Sequence, residues 1–226
     1  MTNLVVAAVV WVISHLGISS TKLRPALVAR LGEWGYICIY SLIAVAAFAY
    51  LIWSYSCLGV SEYLWNPTLV LRWVALLLMP IALIFVVGSL VTANPTIVGQ
   101  SGKLAGIGSG SGMIRITRHP FQWGVVMWAA AHVLAKGDVG SLVFFGAFGS
   151  VSLLGTVLMD RKKSAQLGAD WTSFSNVTSN IPFAAIIKGR NRFCLDELWL
   201  PISIGLSAYA LLLWWGHKFI SGVAIL

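Results

Sequence analysis

Charge is what this chain has least of. Only 10% of its 226 residues are Asp, Glu, Lys or Arg, against 58% hydrophobic, and no soluble domain of this size covers its surface with so little charge. Acids are the scarcest, seven against fifteen Lys and Arg. Cysteine is nearly missing: Cys38, Cys57 and Cys194 offer neither a disulfide framework nor zinc spacing, and the lack of a CxxCH excludes covalent c-type haem attachment. Phosphate cradles are missing too. The glycine-rich stretch GQSGKLAGIGSGSG at 99–112 has glycines at 106, 108, 110 and 112, which spell neither GxGxxG nor the Walker spacing. It reads as a flexible cytoplasmic linker.

What the chain has instead is apolar runs, which become membrane-span candidates at roughly 18 residues. About six occur, at 3–18, 36–58, 69–91, 121–136, 139–159 and 198–220, the first and fourth being short. The fold expected is a single all-α polytopic membrane helix bundle over residues 1–226. Its first run has no basic residue before it and so reads as a retained span rather than a cleaved signal.

Sidedness follows from the basic residues, which stay on the cytoplasmic side of a span. Twelve of the fifteen fall after the first, third and fifth runs: Lys22, Arg24, Arg30, Lys103, Arg115, Arg118, Arg161, Lys162, Lys163, Lys188, Arg190 and Arg192. Loops of about 19–35, 92–119 and 160–197 are therefore expected in the cytoplasm, with both termini opposite, as a multi-pass protein of a bacterial inner membrane. The net charge of +8 is then topology and no nucleic-acid footprint; the partner it implies is membrane lipid.

All four histidines, His15, His119, His132 and His217, lie in or at the ends of apolar runs, where an imidazole must find a partner. Trp11 precedes His15 by four residues and Trp128 precedes His132 by four, placing each imidazole beside an indole on its own helix; Trp214 precedes His217 by three. Tryptophans of interfacial belts and histidines facing headgroups account for such pairs without any function. A hydrogen-bonded structural pair, a polar substrate pocket and haem b remain open for His15 and His132. Haem b is the economical answer, since neutral imidazoles bind iron axially and apolar helix faces hold the macrocycle.

Lesser features read structurally. Arg30 and Glu33 are spaced to pair, and Arg72 is placed to snorkel to the interface. Pro80 removes a backbone hydrogen bond in mid-span, and Gly146, Gly149, Ser150 and Gly155 permit close helix approach. Pro120 suits a first helical turn, and Lys136-Gly137-Asp138 turns the chain back into the next run.

His15, Arg30-Leu31-Gly32-Glu33, Arg118-His119-Pro120, Trp128 with His132, Gly137-Asp138, Asp160-Arg161, Trp171, Ile181-Pro182-Phe183, Gly189-Arg190 and His217 form an ordered set. In that order they resemble the NnrU-like integral membrane proteins and, more distantly, the plant and cyanobacterial 15-cis-zeta-carotene isomerases, over nearly the whole chain. NnrU proteins are associated with nitric oxide and denitrification metabolism. The isomerases resemble haem b proteins whose reduced iron promotes cis-to-trans isomerisation of a polyene. By that resemblance His15 and His132 are the axial ligands, with nitric oxide or a hydrophobic polyene as the small-molecule partner. Arg118 and His119 would then serve at the cytoplasmic rim, beside propionates, and His217 as a supporting or substrate-side group. One departure matters: the isomerase pattern has a cysteine three residues before the second histidine, where this chain has Ala129, so a thiolate ligand is not available there.

GMIRITRHPFQWG is also similar to the GxxxxxRHPxxxG region of small membrane methyltransferases that use S-adenosylmethionine. The paired glutamates of their later segment are reduced here to Asp160 followed by Arg161.

Overall fold

With no water in the hydrocarbon to bond the backbone, an apolar run must satisfy its own N–H and C=O groups, and each of these runs is helical. The computed structural model describes residues 1–19, 21, 23–94 and 110–223, so most of the glycine-rich stretch lies outside the described residues. Helix α1 (Thr2–Val12) continues into a π-helical turn, Ile13–Ile18. Then come α2 (Leu23–Ser56), α3 (Leu69–Val91), the single turn α4 (Met113–Ile116), α5 (Pro120–Lys136) and α6 (Val139–Val177). The short α7 (Ala184–Ile187) is followed by α8 (Trp199–Leu211), which passes through a second π-helical turn, Leu212–Gly216, into α9 (His217–Ser221). Among the described residues there is no strand, only a bridge between Tyr63 and Asp138.

Four helical stretches among the described residues are long and apolar enough to cross a membrane: α2, α3, α6 and Trp199–Ser221. Thr2–Ile18 is a shorter apolar helix, and α5 has 17 residues; these are the two short runs of the sequence. The chain is an all-helical polytopic membrane protein.

Two helices are bent at glycine. Gly32 in α2 has φ 71° and Gly168 in α6 has φ 52°, a region that a β-carbon would strain. The bend at Gly32 breaks the helical register between Arg30 and Glu33. Glu33 pairs instead with Arg24, 2.7 Å away and exposed, a contact worth a few tenths of a kcal/mol. The Lys136-Gly137-Asp138 turn forms as expected, and Asp138 caps α6 by accepting the Ser141 N–H at 2.9 Å.

The chain divides into two compact units. The first comprises Met1–Ala75 and Ala129–Leu158. In it α1 runs antiparallel to α2, with Trp11 against Phe48 and His15 near Tyr40, over buried Leu4, Ala7, Ala47, Leu51, Phe144 and Phe145. The second comprises Leu76–Trp128 and Met159–Leu226. One of its clusters joins Phe85, Met113, Ile116 and Leu198, and another joins Ile114, Trp171 and Phe174.

Pro80 illustrates how the second unit repairs a broken helix. Lacking an N–H, it leaves the carbonyl of Leu76, four residues earlier, without its helical donor. The Tyr209 hydroxyl of α8 donates to that carbonyl at 2.9 Å. Tyr209→Phe is expected to cost about 1 kcal/mol of stability in the Pro80 background and markedly less in Pro80→Ala, where the helix supplies its own donor. Unfolding of the four variants in detergent measures that coupling.

Candidate functional site

In the first unit, His15 sits on the π-helical turn. Its Nδ1 lies 2.9 Å from the Trp11 carbonyl oxygen. A carbonyl only accepts, so the proton is on Nδ1 and Nε2 keeps its lone pair. Ser14 Oγ donates to the same carbonyl at 3.0 Å and lies 3.2 Å from Nδ1. Ser19 donates to the carbonyl of His15, and Thr21 to that of Gly17 at 2.6 Å, so hydroxyls cover carbonyls of the widened turn.

The sequence spacing placed Trp11 beside His15, and their ring centroids are 3.8 Å apart. Trp11 also meets Phe148 at 4.9 Å. From Phe148 ring contacts continue to Phe144 at 5.3 Å, to Phe145 at 5.0 Å, and from Phe145 to His132, stacked at 4.5 Å and 24°. An unbroken series of rings therefore joins the two imidazoles. Within it the buried Trp11 Nε1–H has no acceptor among the described residues.

The other expected residues belong to the second unit. His119 and Arg118, expected at the cytoplasmic rim beside propionates, are bound within the protein; the His119 side chain is 0% exposed. The cause is Asp160, on the helical extension of α6 beyond its apolar run. It accepts from Arg118 Nε at 2.9 Å and Nη2 at 2.6 Å, and from His119 Nε2 at 2.6 Å. Burial pushes the His119 imidazole below its usual range, against the pull of Asp160. The ring is then neutral near pH 7, with Nε2–H donating to Asp160 and Nδ1 a buried acceptor without a partner among the described residues.

The backbone beside this cluster is laced by hydrogen bonds. Arg118 N–H donates to Ser179 O and Phe183 N–H to Ile116 O. Thr117 Oγ1 and Trp123 Nε1 both donate to Asn180 O. The linker reading of 99–112 fails where it can be seen, since Gly110 and Gly112 are buried and the Gly112 N–H donates to Glu197. Glu197 also takes a two-pronged pair from Arg115, at 2.8 and 2.9 Å, which holds its carboxyl below the ordinary carboxylate range.

His217 lies within 2.8 Å of Val223 O and 3.1 Å of Ser221 Oγ, fastening its own terminal turn. Asp160 and Glu197, the anchors that sequence reasoning gave least weight, had a signal. In a chain with seven acids, a carboxylate beyond the end of an apolar run is placed to answer a buried arginine.

A family model described as NnrU protein matches residues 3–225. The chloroplastic 15-cis-zeta-carotene isomerase of Arabidopsis thaliana is 38% identical over 82 residues, 35% of this chain and 22% of that protein. The enzyme of the same name from Zea mays is 38% identical over 88 residues, 38% of this chain and 24% of that one. The matched stretch thus spans less than a quarter of these relatives' length. No solved structure matches.

Proposed function

This chain belongs to the NnrU family, and from that premise we propose that it is a membrane protein that binds haem b between His15 and His132 and serves nitric oxide or denitrification metabolism in a bacterial inner membrane. The observation that carries the reading is the 2.9 Å contact of His15 Nδ1 with the Trp11 carbonyl oxygen. A metal-ligating histidine donates its other ring N–H to a carbonyl or carboxylate, which fixes the ring and raises the basicity of the ligating nitrogen; the Trp11 carbonyl does this for His15.

Two features of the surroundings support the reading. The rings from Trp11 to Phe145 offer the apolar faces that a macrocycle needs, and the Trp11 indole N–H is a donor awaiting an acceptor. Among the described residues no three His, Cys, Asp or Glu side chains gather for a bare ion, whereas two imidazoles suffice when a macrocycle fills the remaining positions. Haem bound there would supply an iron centre able to take nitric oxide. His15 and His132 would hold it, Trp11 would donate to it, and the phenylalanines would keep water away.

A second reading, haem-dependent isomerisation of a polyene, is favoured by the activity in the names of the two relatives. Ala129 is buried three residues before His132 and provides no ligand atom, so such chemistry would rely on imidazoles alone.

The test is the absorption spectrum of the detergent-purified protein reconstituted with haem. A Soret band is expected, lost in both His15→Ala and His132→Ala and kept in His217→Ala. No band in the parent, or a band that survives both variants, would sink the reading. Saturable S-adenosylmethionine binding by a haem-free preparation would move the chain to the methyltransferases.

A further inference from the structure

In the first unit, a cleft of about 290 Å³ opens where the segment after α2 meets the turn between α5 and α6. We propose that this cleft is a binding site for a small alkylammonium group, the chemistry shared by free choline or ethanolamine and by the headgroups of zwitterionic phospholipids.

The cleft is built before any ligand arrives. Leu64 N–H and Trp65 N–H both donate to Gly137 O, Val139 N–H to Glu62 O, Gly140 N–H to Ser61 Oγ, and Trp65 Nε1 to Leu134 O. Residues 61–65 are thereby pinned along the turn at 134–140, and the walls hold their shape.

Its electrostatics select the sign of the ligand. A helix N-terminus ordinarily attracts anions through four unpaired N–H groups and a partial positive charge. Here the first-turn donors are spent: Val139 on Glu62 O, Gly140 on Ser61 Oγ and Ser141 on Asp138 Oδ1, after which Leu142 begins the helix's own ladder on Asp138 O. The half-buried Asp138 is the one formally charged group lining the cleft. Its bonds come from neutral donors, Ser141 N–H at 2.9 Å and Ser141 Oγ at 2.6 Å, and it has no cationic partner among the described residues. A whole negative charge against about half a positive one leaves the site anionic.

The remaining walls select the kind of cation. Tyr55 and Tyr63 contribute aromatic rings, and Leu58 and Val60 apolar surface. One carboxylate with aromatic and apolar walls under-coordinates a hard metal ion, which demands six or more oxygens, but matches an alkylammonium, which takes a carboxylate together with ring faces. The volume is at the lower end of small-molecule pockets, about 300 Å³, and suits a headgroup rather than a larger amine.

Titration calorimetry on the full chain in maltoside detergent tests the site with choline chloride, ethanolamine and short-chain dihexanoyl phosphatidylcholine as probes, and with sodium chloride and inorganic phosphate as controls. Saturable binding of an ammonium probe is expected, weakened at least tenfold in Asp138→Asn and several-fold in Tyr63→Ala. Asn caps a helix about as well as Asp, so Asp138→Asn removes the charge while keeping the fold, as an unchanged melting temperature will verify. Binding of the lipid probe alone supports the site with a headgroup as its source; binding of the free amines supports it with a soluble source. No saturable binding of any ammonium probe, equal binding of phosphate, or binding indifferent to Asp138→Asn in a folded protein overturns the proposal.

Discussion

Asp160→Ala is expected to lower the stability of the protein in detergent by about 3 kcal/mol, because removing one partner of a buried ion pair strands the other. The side chains are 13% exposed for Arg118, 20% for Asp160 and 0% for His119. The guanidinium would lose its bonds to both carboxylate oxygens and the enclosed imidazole its acceptor. The paired replacement Arg118→Met with Asp160→Leu should recover much of that loss, since no uncompensated charge is left behind. Arg24→Ala, which breaks the exposed pair with Glu33, should stay within about 1 kcal/mol. Unfolding by denaturant in micelles measures all three, and an Asp160→Ala cost under about 1 kcal/mol would contradict the burial argument.

Gly124→Ala and Gly205→Ala are each expected to cost about 2 kcal/mol, the usual range for an overpacked interior. Both glycines meet α3 at its backbone. A β-carbon at 124 would lie 2.9 Å from Ala82 O and 3.0 Å from Val86 N, and one at 205 would lie 2.8 Å from Ile84 Cα and 2.9 Å from Ile84 N. A side chain can rotate away from such a contact; a helix backbone cannot. Gly146→Ala and Gly155→Ala make the contrast. A β-carbon at either has no atom within 4 Å, so these changes should be neutral or stabilising by up to about 1 kcal/mol, as Ala replaces Gly within a helix. Melting temperatures of the four variants decide the matter, and equal shifts at all four positions would refute the assignment.

Those glycines show where sequence reasoning reached its limit. Gly146, Gly149 and Gly155 look like a packing stripe because they recur along one helix, but close approach belongs to pairs of helices, and a single sequence does not say which ones meet. Local signals fared better. The spacing of Trp11 and His15 predicted a ring contact that is there, Pro120 begins α5, and the turn at Gly137 is capped by the aspartate that follows it. The Arg30–Glu33 pair failed because Gly32 between them leaves the helical region of backbone space, which composition does not reveal.

The cluster around Asp160 was half legible. Arg118-His119-Pro120 stood out as a motif, but its partner Asp160 did not. The acceptor that draws both side chains inward lies 41 residues after His119 in the chain, and nothing in the apolar pattern connects them. Residues 110–119 were read as loop for the same reason; their burial comes from partners at 178–197 that only the fold brings near.

The π-helical turn at Ile13–Ile18 carries a last consequence. Such a turn has the length of an α-turn with one residue inserted, and each residue of an α-helix advances the azimuth by about 100°. The compass bearing of the His15 ring relative to the face of α1 below it is thus fixed by a single-residue indel. Relatives one residue shorter here would carry the same neighbours yet aim the imidazole elsewhere, and gapless alignment through this stretch would pair histidines that are not geometric equivalents.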